Sequence, residues 1–347
     1  MNLPYSSAVP INLLASCFNS TSATYKFYWL LAILDAAEEG KREVSKKELF
    51  ARMLSTSWYT VNYFNISFGF QDLIQKAVQE IKELEDIRID ADRSLIFQKL
   101  SNPTSAKTEV LLKHFDKNVP HWFLSPWYPG RNKQDIYILS QENSHSPLYA
   151  LYRDKIIINS DWVEYLQKNS RIIRDFIYWN LAMFLQIRNP NVPDIPNKLI
   201  KPATRSTLLN QRKFWDMILD EVGSLECIYT GKKLTKGNYH VEHFVPYSFV
   251  SHNQIWNLIP GDICFNLSKS NKLPVMDRYF EGFFNLQKLA LDVYLDKKPQ
   301  EKLLQEYFYI DKNFAEGIDR DKFFQVINPL ITIASNNGFN FYTEKPC

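Results

Sequence analysis

The chain has 347 residues, 45% hydrophobic and 23% charged, with 41 Lys+Arg against 38 Asp+Glu for a formal net charge of +3. At about 150 residues per domain the length implies about two folded domains, and the composition excludes a disordered, collagen-like or disulfide-scaffold chain. So small a charge excess does not announce a polyanion partner, and any nucleic-acid function has to be read from a site.

The opening MNLPYSSAVPINLLASCFNS lacks the basic head and long apolar run of a signal peptide, so nothing in it marks the chain for export. Cys17, Cys227, Cys264 and Cys347 are widely spaced and form no CxxC pair, which suits a reducing, cytoplasmic location. The apolar runs Phe27 to Leu34 and Phe176 to Ile187 fall short of the roughly 20 residues that cross a membrane, so both read as buried helices and no membrane partner is expected.

Thr24 to Gly40 carries apolar residues at helical spacing, with a Ser/Thr cluster before it and a glycine to end it. Ser45 and Asp72 then stand as cap residues before two amphipathic runs, so 1–116 reads as a helical N-terminal domain. Residues 117–197 read as a connector, a small hairpin and a long helix. Pro120, Pro126, Pro129 and Gly130 predict irregular structure up to 147, where the aromatics from Trp122 to Tyr128 read as packing before base stacking. Arg153 and Asp154 split two short apolar runs as a two-residue hairpin turn would, and Asp161 to Ile187 reads as one helix or two. NPNVPDIPN, at 189–197, cannot continue a helix and reads as a linker. The remainder divides into a segment at 198–285 and C-terminal helices at 286–347.

His240, His243 and His252 fall within thirteen residues of one another, inside 227–274. YHVEHFVP reads as a short strand ended by Pro246, Tyr247 to Trp256 as a loop, NLIPGD as a second strand, and Ile263 to Asn271 as a helix. A regular pleat points Glu242 and His243 to opposite faces, so one shared site requires the strand to twist or break near Pro246.

This plan resembles the HNH nuclease motif of the ββα-metal superfamily, and within it most closely the HNH domain of CRISPR RNA-guided DNA endonucleases. The matching residues are Tyr239, Glu242-His243, Pro246, Asn257-Leu258, Asn266, Lys269-Ser270 and Pro274. No other domain of those large endonucleases is visible, so guide-RNA use is not implied. The fold class expected is mainly α with a small α+β insert, a ββα-metal catalytic module embedded in helical domains.

The residue types suit phosphodiester hydrolysis, which needs a base for the attacking water and positive charge at the leaving oxygen. His243, with an ordinary imidazole pKa of about 6.5, can serve as the base. Glu242 and Asn266 offer oxygen ligands to one Mg²⁺ or Mn²⁺. The resemblance implies that Asn257 fixes the imidazole by a hydrogen bond, that Lys269 steadies the phosphate, and that products carry 5′-phosphate and 3′-hydroxyl ends. Two departures stand out. Glu242 is one methylene longer than the family's usual Asp, and Cys227 and Cys264 cannot assemble the four-cysteine zinc site of many HNH proteins, so no structural zinc is expected and packing of Tyr229, Leu234, Phe244 and Trp256 has to replace it.

His240 and His252 can contact phosphate or simply sit on the surface, while His114, His121 and His145 are distant. Between Lys201 and Arg278 ten basic residues face seven acidic ones, an excess equal to the net charge of the whole chain, and Lys232, Lys233 and Lys236 are the candidates to approach a nucleic-acid backbone. The resulting expectation is a metal-dependent endonuclease acting on DNA, with a role in defence against foreign DNA by analogy. The sequence leaves open an RNA substrate, a non-cleaving binding subunit, a homo-oligomer or an activating protein partner.

Overall fold

The computed structural model describes residues 3–200 and 207–343. They fall into two units, one within Met1–Pro190 and Ile195–Lys201, the other within Asn191–Asp194 and Pro202–Cys347. The proline-rich stretch 189–197 is where the chain first leaves the first unit, as a segment unable to hold a helix should be. Most of 117–190 lies with the N-terminal helices, and the helices beyond 286 lie with the motif-bearing segment.

In the first unit the helix Tyr25–Glu38 is buried from Phe27 through Ala37, which explains an apolar pattern that runs all round it. Ser45 caps Lys46–Asn62, its hydroxyl accepting from Glu48 N at 3.1 Å. Asp72 caps Leu73–Leu84, its carboxylate accepting from Ile74 N at 2.9 Å and from the Thr24 hydroxyl at 2.7 Å. A three-stranded antiparallel sheet has β1 (Glu43–Ser45) and β2 (Tyr149–Leu151) on either side of β3 (Lys155–Ile158). Tyr152 N donates to Lys155 O at 2.9 Å, leaving Arg153 and Asp154 as the two turn residues the sequence predicts.

The expectation of irregular structure in 117–147 is corrected: helices Val119–Phe123 and Lys133–Gln141 lie there. Pro120 sits in a first helical turn, where its missing N–H has no partner to lose, and the Asn132 side chain caps the second helix through Asp135 N. Phe123, Trp127 and Tyr128 are buried while Trp122 is exposed, so most of the aromatic cluster is core. Residues 160–188 form two helices, Ser160–Lys168 and Ser170–Arg188. Among the described residues no helix is long and apolar enough to cross a membrane.

The second unit is helical around a small insert. Helix Leu209–Val222 leads to a short hairpin of β4 (Leu225–Glu226) and β5 (Lys233–Leu234), then to the antiparallel pair β6 (His240–His243) and β7 (Leu258–Gly261), then to helix Ile263–Lys269. The loop between β6 and β7 is more ordered than expected, with one helical turn at Tyr247–Val250 and a 3-10 turn at Ile255–Asn257. Helix Met276–Lys297 braces the insert: Phe283 stacks on Phe244 with ring centroids 3.8 Å apart, and Gln287 donates to Leu258 O at 2.8 Å. Trp215 Nε1 donates to the same carbonyl at 3.1 Å, so β7 is held from two helices at one point. The fold is mainly α with a small α+β insert.

Candidate active site

Four residues of β6 pair with β7 in regular register, His240 opposite Gly261, Glu242 opposite Ile259 and His243 opposite Leu258. Strand side chains alternate, so His240 and Glu242 share one face and His243 takes the other. The helix Ile263–Lys269 covers the first face. Asp262 starts this helix, its carboxylate accepting from Phe265 N at 3.1 Å, and Asn266 and Lys269, three residues apart, lie on one side of it. Asn266 Nδ2 sits 3.4 Å from His240 Nδ1, and Lys269 Nζ sits 2.7 Å from Glu242 Oε1.

Glu242 is 3% exposed, with the Lys269 ammonium and the Tyr229 hydroxyl as its polar neighbours. Burial pushes its carboxyl above the usual range, while the Lys269 ammonium and the Tyr229 hydroxyl oppose that rise. Gly261 makes this approach possible: a Cβ there would lie 3.1 Å from Glu242 Oε2. Lys269 is 1% exposed and also donates to His243 O at 2.9 Å, tying the helix to the end of β6. A phosphate-steadying role for Lys269 does not match this placement, because the ammonium is buried on partners within the protein.

His243 ends the strand with its ring in the β6–β7 loop, edge-on to Tyr247 and with Nε2 3.0 Å from Asn253 Oδ1. The ring also hydrogen-bonds the backbone of His252, so two neighbouring loop residues hold its orientation. Burial pushes the imidazole down to about 4 against the support of Asn253, so the ring is neutral throughout the physiological range. The strand neither breaks nor bulges to bring Glu242 and His243 together; Lys269 links them instead, touching the carboxylate of one and the carbonyl of the other.

The expected role of Asn257 is corrected. Its amide is fully buried and clamps the backbone of Val245, donating to the carbonyl at 2.9 Å and accepting from the N–H at 2.8 Å. The imidazole partner is Asn253, which no spacing in the sequence marks out. Asn257→Ala is expected to destabilise the insert by about 1–3 kcal/mol, since it strands two buried backbone groups. Chemical denaturation of the variant, with its m-value compared to the parent, measures this.

The lysine expectation also changes. Lys232 pairs with Asp262 at 3.1 Å and Lys236 with Asp220 at 2.6 Å, while Lys233 is exposed on β5. Two of the three therefore already face carboxylates. Lys201, Arg205 and Cys347 lie outside the described residues. Cys227 is buried, its sulfur accepting from Asp262 N at 3.3 Å, and Cys264 is exposed. Tyr229, Leu234, Phe244 and Trp256 are all buried, with Tyr229 stacked on Phe265 at 4.1 Å. His252 packs its ring 5.2 Å from that of Trp256.

Residues 227–275 match a family model described as HNH endonuclease, which spans β6, β7 and the covering helix. This segment is an HNH module. No curated protein and no solved structure matches the chain. HNH nucleases generally use a divalent metal. Among the described residues of this HNH module no three His, Cys, Asp or Glu side chains converge, so a cation there needs a neutral donor as well. The module's donor set fits that need: Glu242 offers a buried carboxylate, and the amide of Asn266 lies on the helix that faces it.

Proposed function

We propose that the chain is a metal-dependent endonuclease that hydrolyses DNA phosphodiester bonds. The observation that carries this reading is an imidazole kept neutral by burial and oriented by Asn253, next in sequence to a buried carboxylate. His243 takes a proton from the attacking water on its imidazole, and Asn253 orients the ring for it. Glu242 and Asn266 would hold Mg²⁺ or Mn²⁺, which supplies positive charge for the phosphate and for the departing 3′ oxygen. Lys269 positions both ends of the site by fixing the Glu242 carboxylate and the His243 carbonyl.

One observation favours a second reading, a module that binds nucleic acid without cutting it. Lys269 already neutralises Glu242 in the buried interior, where a divalent cation is otherwise expected to do so. Incubation of purified protein with supercoiled plasmid, Mg²⁺, Mn²⁺ or chelator separates the two. Nicked circles with metal and none with chelator support the nuclease. Retained binding without nicking in any metal establishes the binding module, and matched single-stranded DNA and RNA in the same assay identify the substrate class.

A further inference from the structure

Two rungs connect β6 to the helix above it: His240 meets Asn266, and Glu242 meets Lys269. Residues two apart on a strand are about 6.6 Å apart along it, and residues three apart on a helix about 4.5 Å, so the four side chains enclose one small space. Lys269 fills one side of it. On the other, His240 Nδ1 and the Asn266 amide lie 3.4 Å apart, close to the roughly 3 Å that separates neighbouring ligands around one cation at about 2.1 Å. The amide can present its oxygen at the same place by a half-turn, since the two amide orientations are interchangeable. Gly261, opposite His240 in the register, leaves the floor of this space open toward Glu242 Oε2.

We propose that His240 is a third metal ligand, donating its imidazole Nδ1 beside Glu242 and Asn266. This rests on the nuclease reading above and adds a selectivity to it. An imidazole nitrogen favours transition metals, whereas a set of oxygen ligands suits Mg²⁺. With one nitrogen among its ligands the site prefers Mn²⁺ to Mg²⁺, and His240, which supplies that nitrogen, is the residue that decides this.

The test is Mn²⁺ binding to the full chain without nucleic acid, followed by the electron paramagnetic resonance of free Mn²⁺ and by Mg²⁺ competition, for the parent, His240→Ala, His240→Asp and Glu242→Gln. Circular dichroism melts establish that each variant is folded. His240→Ala is expected to weaken Mn²⁺ by about 10-fold or more and to remove the nitrogen modulation of the bound ion's spin echo. His240→Asp is expected to recover binding while making Mg²⁺ a better competitor. Unchanged Mn²⁺ affinity in His240→Ala, with binding lost in Glu242→Gln, overturns the assignment and leaves the nuclease reading standing. Absence of Mn²⁺ binding in the parent overturns both.

Discussion

His243→Ala is expected to slow metal-dependent plasmid nicking by about 10²–10⁴-fold, the usual contribution of a positioned general base. Nucleic-acid binding should be unchanged, because the ring faces the β6–β7 loop and contacts Tyr247, Asn253 and the His252 backbone there. The loss should therefore appear in kcat and leave KM nearly as it was. Asn253→Ala should reproduce part of the same loss, since without the amide the ring loses a partner that fixes its direction. In the double variant the two effects should not add, as is the rule for groups acting as a unit. Steady-state kinetics on the four proteins, with filter binding of the same DNA, checks the whole set. A nicking rate in His243→Ala within a few-fold of the parent removes the base assignment.

Lys269→Met is expected to cost the second unit about 3–5 kcal/mol, because removing one partner of a buried ion pair leaves the other uncompensated. Both groups are almost inaccessible, at 1% and 3% exposure, so little water is available to take over. The variant also loses the tie to His243 O at 2.9 Å. Glu242→Gln in the same chain should restore much of the stability, since the charge that was stranded is gone. Native-state hydrogen exchange of the β6 and β7 amides reads these differences within the unit concerned. A Lys269→Met protein with parental protection in both strands contradicts the buried pair.

Local signals account for what was legible in the sequence. Ser45 and Asp72 each sit one residue before a helix and accept from its first N–H groups, a short-range effect that spacing reveals. The hairpin at Arg153 and Asp154 was legible for the same reason, its turn being two residues between two apolar runs. The motif plan was legible too, since strand, loop, strand and helix each keep their own period from His240 to Lys269. What escaped depends on contacts made through space. The helices at 119–123 and 133–141 form despite four nearby breakers because Pro120 falls where a helix tolerates it. Asn253 takes the place expected of Asn257 because the course of the loop, with its two short helical turns, decides which amide meets the imidazole. The pairing of Lys232 and Lys236 with Asp262 and Asp220 is likewise invisible in a count of charges.

The turn at 227–232 has a practical consequence. The HNH proteins that carry cysteine pairs hold a structural zinc around the motif, so chelation there attacks the scaffold along with the chemistry. Here the turn is closed by Cys227 N on Lys232 O and Gly231 N on Cys227 O, both at 2.9 Å. It is anchored to the helix start by the Cys227 sulfur and by the Tyr229–Phe265 stack. These bonds are indifferent to chelators. On the metal-dependent reading proposed above, stripping divalent ions from this protein should silence the reaction with the architecture left in place, and restoring the ion should restart it without a refolding lag.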